Sequence, residues 1–569
     1  MAPLQLIILL LLVRIPGLTQ AAASQHWLTR LPGGTPTVFA SFLLTHLALV
    51  LFVAAQARTA RRLMHRPSTS STLLMTRMDH LLSWSRWSTI ALTALHLYAF
   101  GAAGNLDALL AHTHLLKHIP LLPETLLLAP ALLSWICFWA SYYTVEAAQR
   151  ERQLPARLAQ QLPAHEMPPM STYLSMQIRH QYYLLLPVAA ATLLERAGEA
   201  LQPNHPTALA IATPLALGLL FLLIPWLITR IWSTIPLRGP LRSRLDAMAR
   251  RHRLRFRNIL LWKTHNAVTN AAILGFLPFA RYFLMTDALL ESLTDRQIEA
   301  VFAHEVGHGV HKHIWWYLAS MFAVLMIAGA AMDLTGAYLG PHHPWATSDA
   351  LQGILAILLA GGFLLFVFPK ISHRFEHQAD WFAAKQMAEE VAKHPISEPV
   401  TAAALTVEVP VDGAEDVVPY FPPQPATLSL DQYLAGNYPS QHPASPAEAA
   451  PRPPLAGLPE APAVIGAEIF VSALDTIIEI AHKTRNKAGW MHPSVNDRIR
   501  LIRNLAVNRP AADRFNRDMF WTRAAIAVAF ALGLTLTIWA QRLPSPTESP
   551  AQLNQLNQVT QLNPAALTP

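Results

Sequence analysis

Three scarcities bound this sequence before any motif is read. It has one cysteine, Cys137, in 569 residues, which excludes an intrachain disulfide and a cysteine-based metal site; lying in an apolar run, Cys137 is read as a packing residue. Charged residues make up only 14% of the chain against 52% hydrophobic, and the mean hydropathy is +0.28. Soluble domains carry about 25% charged residues, so the shortage excludes an ordinary soluble protein and points to a polytopic membrane protein. Acidic residues are the scarcer sign, 35 against 43 Lys and Arg, and the placement of the basic excess decides what it means.

Apolar runs near the length of a bilayer crossing fall close to residues 38–56, 88–104, 121–143, 180–201, 208–230, 314–338, 350–369 and 521–540, about eight crossings. The run Leu4 to Val13 is shorter and reads as a signal peptide or a short anchor. Basic residues crowd alternate loops, with Arg58, Arg61, Arg62 and Arg66 in one and Arg238, Arg242, Arg244, Arg250 and Arg251 in another, whereas 202–207 and 339–349 hold no Lys or Arg. By the positive-inside rule the Arg-rich loops face the cytoplasm, so the excess is a topology signal and no nucleic-acid partner is expected. His46, His96, Glu195 and Arg196 lie inside expected spans and need an interior, a partner or water.

The chemistry concentrates in Val301 to His313, which contains His304-Glu305-Val306-Gly307-His308. Histidines four apart on a helix share a face and can close on one Zn2+, with Glu305 beside it as a general base rather than a ligand. His311 continues that face but cannot converge, because seven residues advance a helix by about 10 Å while zinc needs nitrogens at about 2.0–2.1 Å. His311 and His313 are read as solvated positions at the helix end. Gly307 suggests close approach of another element to the helix. Thr294-Asp295-Arg296-Gln297 supplies a capping box for its start, and the stretch from Asn266 to Asp287, punctuated by Gly275 and Pro278, reads as a hairpin or short sheet able to hold an extended peptide by strand addition. Further on, Glu376 and Asp380 face one way, four apart. Two acids so placed repel unless a cation is near, which makes Glu376 the third ligand and Asp380 the group that orients a ligand histidine.

The set H-E-V-G-H, then two spans, then S-H-R-F-E-H-Q-A-D resembles the M48 zinc metallopeptidases, and within them the Ste24/CaaX-protease branch, over about residues 38–505. The resemblance implies a mainly α polytopic membrane protein carrying a gluzincin-like domain, one zinc per chain, and a peptide or protein substrate, including membrane-associated ones. It also brings Asn270 and the His492-Pro493 to Arg498 pattern to the reaction centre as stabilisers of developing charge. The organisation expected is an anchor-like segment (1–37), spans one to five (38–232), a cytoplasmic catalytic segment (233–313), spans six and seven (314–369), the third-ligand helix (370–394), a Pro/Ala-rich flexible linker (395–462), catalytic-domain helices (463–515), an extra span (516–541) and a disordered tail (542–569). The linker, extra span and tail depart from the family pattern and are expected to leave the metal residues untouched. Composition favours a bacterial inner membrane. The rival readings are a quality-control protease of HtpX-like role and a non-enzymatic polytopic protein or transporter with a fortuitous H-E-x-x-H.

The charge asymmetry makes a topology prediction. In a Cys137→Ser background, Ser243→Cys and Ser348→Cys should be labelled by impermeant thiol reagents from opposite sides, Ser348→Cys from outside; labelling of both from outside contradicts the orientation.

Overall fold

The computed structural model describes residues 2–14, 35–102, 106, 119, 121–159, 167–201, 206–339, 343, 348–393, 461–480 and 485–542. The expected linker lies outside these residues apart from its last two, which already belong to a helix, and the expected tail from 543 onward lies outside them too.

The N-terminal half is helical: α1 (Ala2–Arg14), α2 (Thr35–Met64), α3 (Ser71–Ala94, continued by a π turn, Leu95–Ala99), α4 (Leu122–Ala159), α5 (Met170–Tyr182), α6 (Leu185–Leu201) and α7 (Pro206–Ile231). Leu6 and Leu9 of α1 are fully buried with Leu82, Trp135 and Phe138 of α3 and α4, so this segment is packed into the bundle. His46 and His96 are buried and satisfied locally, their Nδ1 atoms 2.9 and 2.8 Å from the carbonyls of Phe42 and Leu92 one turn back. Arg196 pairs with Glu124 of α4. Cys137 is exposed; it sits on the outer face of α4, so the packing role expected for it is wrong.

A mixed sheet follows: β1 (Thr234–Pro236), then α8 (Pro240–Arg251), β2 (Asn258–Trp262), β3 (Ala271–Leu274) and β4 (Tyr282–Thr286), in spatial order β1-β2-β4-β3. Only β2 and β4 run parallel; β3 is an edge strand antiparallel to β4. Gly275 makes the turn after β3 at φ +82, where a Cβ would lie 2.1 Å from the Ala280 carbonyl oxygen. Short α9 (Asp287–Ser292) leads into α10 (Asp295–Val310), and then come α11 (His313–Leu339), α12 (Asp349–Gly362) running through a π turn (Phe363–Val367) into α13 (Phe368–Lys393), α14 (Ala461–Ile480), α15 (Val495–Val507) and α16 (Arg509–Ala540). One core joins this half, with Ile259, Phe283, Phe302, Phe382, Phe470 and Ile502 from six elements.

Among the described residues five helices are long and apolar enough to span a bilayer: Pro36–Met64, Leu122–Pro155, His313–Leu339, Leu358–Lys393 and Arg509–Ala540. Their apolar windows are only 17–39% buried, so most of that surface requires lipid. Three of the eight expected spans are not among these five, for local reasons: α3 carries Arg77, Asp79 and Arg86, α6 has 17 residues, and α7 counts only as a shorter apolar helix over Gly218–Ile231.

The helices of the catalytic half meet at small residues. A Cβ on Gly307 would contact Phe382 at 3.1 Å and Ala379 Cα at 3.2 Å, which is the close approach its presence suggested. A Cβ on Gly466 of α14 would lie 2.3 Å from Ala388 N and 2.6 Å from Ala384 O, backbone atoms of α13 that cannot yield without moving the helix. Gly466→Ala should therefore destabilise the protein by about 1–3 kcal/mol, read as a lower thermal unfolding midpoint in detergent, whereas Gly329→Ala, with nothing within 4 Å, should leave the midpoint in place.

Candidate active site

Helix α10 starts where the sequence indicates: Thr294 accepts from Gln297 N–H and the Gln297 side chain accepts from Thr294 N–H. Arg244 of α8 ties down its first turns through Asp295 and Glu299. Ile298, Phe302 and Val306 go into the core, which leaves His304, Glu305 and His308 lining a cavity of about 440 Å³.

The two imidazoles face each other, Nε2 to Nε2 at 3.1 Å. Glu376 of α13 reaches between them, one carboxylate oxygen 3.6 Å from His304 Nε2 and the other 3.4 Å from His308 Nε2; the three donor atoms all lie within 4.8 Å of one another. One turn along α13, Asp380 is fully buried with its Oδ1 2.9 Å from His304 Nδ1. A carboxylate has no hydrogen to give, so His304 Nδ1 carries it and Nε2 presents a lone pair. Two imidazole nitrogens and a carboxylate converging on one point form a set that calls for a proton or a metal cation among them. Zinc fits that set in donor type and number, three protein ligands with a position left for water.

The surrounding charges follow. Arg498 donates through Nε and Nη2 to both oxygens of Asp380, at 2.9 and 2.5 Å, and although burial opposes the guanidinium charge, Asp380 holds it on. For His304 burial likewise opposes protonation, yet contact with Asp380 prevails and its pKa is raised. Burial lowers His308 to about 4, so its ring is neutral at ordinary pH. Glu305 is raised by burial, against the pull of His304; its Oε2 accepts the Ile273 N–H of edge strand β3 at 2.9 Å, which sets that strand beside the base.

The residues brought in by resemblance also line the cavity. Asn270 precedes β3, its backbone tied to Thr286 through N–H and carbonyl. His492 places Nδ1 2.8 Å from Glu376 Oε2. His311 is half-buried against Phe382 and outside the donor set. His313 is not solvated: it is 0% exposed, with Nδ1 2.8 Å from His308 Nδ1 and Nε2 3.0 Å from Gln378 Oε1. Nor is the C-terminal span remote from the metal residues, because Arg523 of α16 donates to that same Gln378 oxygen. The sequence carried a sign of this, since an Arg inside an apolar span demands a partner.

Residues 238–506 match the model of Peptidase family M48. The crystal structure of S. mikatae Ste24p aligns at 17% identity over 63% of this chain and 89% of that chain, with a TM-score of 0.29. No curated protein sequence matches.

If Asp380 orients His304, Asp380→Ala should weaken zinc binding by roughly 10- to 100-fold, measured by chelator competition; unchanged affinity would remove it from the site.

Proposed function

We propose that residues 238–506, which match the model of peptidase family M48, make the chain an integral-membrane zinc endopeptidase in which His304, His308 and Glu376 hold the metal and Glu305 is the general base. The observation that carries this reading is the convergence of two imidazole nitrogens and a carboxylate within 4.8 Å, beside a further carboxylate that ligates nothing. Zinc held there supplies Lewis acidity, polarising a carbonyl and bringing the pKa of a bound water to about 7.

The chain's own residues do the rest. Edge strand β3 pairs with β4 on one side, and its other edge borders the cavity, so an extended peptide can add to it and bring a scissile bond to the metal residues. Glu305 takes the proton from the attacking water and passes it to the leaving amine; a raised pKa suits a group that must both accept and return it. His492 and Asn270 border the space where the carbonyl oxygen acquires charge and act there as donors. Arg498 acts through Asp380 and adds positive potential.

The Ste24-type branch is supported by the order of apolar runs in the sequence, five before the metal helix and two between it and Glu376. The Arg-rich loops support a cytoplasmic site, the Ala/Leu/Arg-rich composition supports a bacterial inner membrane, and the composition of the cavity supports a peptide substrate without naming one. α11 begins three residues after α10 ends, and α12 continues into α13, so both metal-bearing helices are joined directly to apolar spans. That proximity favours substrates already at the membrane.

Two variants separate holding the metal from using it. Glu305→Gln should keep stoichiometric zinc and lose peptidase activity by roughly 10²- to 10⁴-fold. Glu376→Ala should lose zinc itself. Full activity in Glu305→Gln, or wild-type zinc affinity in Glu376→Ala, contradicts the assignment.

A further inference from the structure

We propose that Arg523, on the C-terminal span, sets the tautomer of His308 through a hydrogen-bond relay that passes by way of Gln378 and His313. The proposal rests on the zinc reading above and concerns groups which that reading does not use. Arg523 Nη2 lies 2.6 Å from Gln378 Oε1, and a guanidinium can only donate, so the amide atom that meets it is the oxygen. The same oxygen lies 3.0 Å from His313 Nε2; that nitrogen must therefore carry a hydrogen. In the neutral ring His313 Nδ1 then has a lone pair. It faces His308 Nδ1 at 2.8 Å, which must donate, and the hydrogen placed there leaves His308 Nε2 bare toward His304 and Glu376.

The fold is built to allow this contact. In an unbroken helix His313 would stand about 140° round from His308, out of reach. Lys312, with φ of 57, ends α10 and restarts the chain as α11, which swings the ring back. Phe375 then clamps it, stacked at 4.5 Å with planes 2° apart. One helix, α13, thus supplies the ligand Glu376, the clamp Phe375 and the acceptor Gln378. The two ligand histidines are oriented by unlike means, His304 by a buried ion pair and His308 by neutral groups anchored to a charge on α16. The C-terminal span is accordingly part of the metal site.

The test is zinc affinity of the full-length protein in detergent, by competition with a chromophoric chelator, alongside the unfolding midpoint of the metal-free form. His313→Phe keeps the stack on Phe375 and removes both nitrogens; the zinc dissociation constant should rise by roughly 10- to 100-fold. Gln378→Leu should move it the same way, Gln378→Glu, which keeps an acceptor in place, should retain wild-type affinity, and Arg523→Met should weaken binding to a smaller extent. Wild-type affinity in His313→Phe or in Arg523→Met overturns the relay, as does equal loss in Gln378→Leu and Gln378→Glu, which would mark Gln378 as packing alone. If His313→Phe does not fold, the two Gln378 variants decide. Absence of zinc from the wild type would instead defeat the metal reading.

Discussion

The catalytic half depends on how closely α10 can lie on α13. Gly307 and Ala379 permit the approach, and Phe382 fills the space beside them at 3.1 Å from where a Cβ would stand. Only at that separation does Glu376 enter the gap between two imidazoles already fixed on one helix face. The crossing also carries Asp380 to the far nitrogen of His304, and it buries Asp380 so completely that Arg498 must accompany it. Opening the crossing would part Asp380 from His304 and Glu376 from both imidazoles, while the Asp380–Arg498 pair between α13 and α15 would stay in place.

That arrangement ties the chemistry to the membrane. α11 and α12, the apolar helices that lie in sequence between α10 and α13, are each joined to one of the two helices that bear the ligands, and α16 lies along α11 with Gly533 against Ala323 and Met326. Phe375 packs with Met519 and Ile526 of α16, one residue from Glu376. A soluble metallopeptidase supports its ligands from a core of its own; here part of that support comes from a span whose outer face includes exposed Phe520, Trp521 and Val528.

Much of the site was legible because its geometry is local. His304, Glu305 and His308 follow from helix periodicity, and the pairing of Glu376 with Asp380 follows from two like charges four residues apart. Thr294 and Gln297 announced the helix start, and Gly275 the turn after β3. His313 was misread because its contact with His308 requires a helix break at Lys312 that no period predicts. Gln378 and Arg523 meet across 145 positions, so neither gave a local sign of the other. Cys137 was misplaced for the converse reason: in a membrane helix an apolar run covers the lipid face as well as the core, and hydropathy alone does not separate the two.

Zinc K-edge X-ray absorption on the full-length protein tests the central claim most directly. The account predicts stoichiometric zinc with nitrogen and oxygen neighbours at about 2.0–2.1 Å, no sulfur, and outer-shell scattering from two imidazoles. Scattering from three imidazoles, as if His492 or His311 had joined the metal in place of Glu376, or a protein that purifies active without zinc, would contradict it.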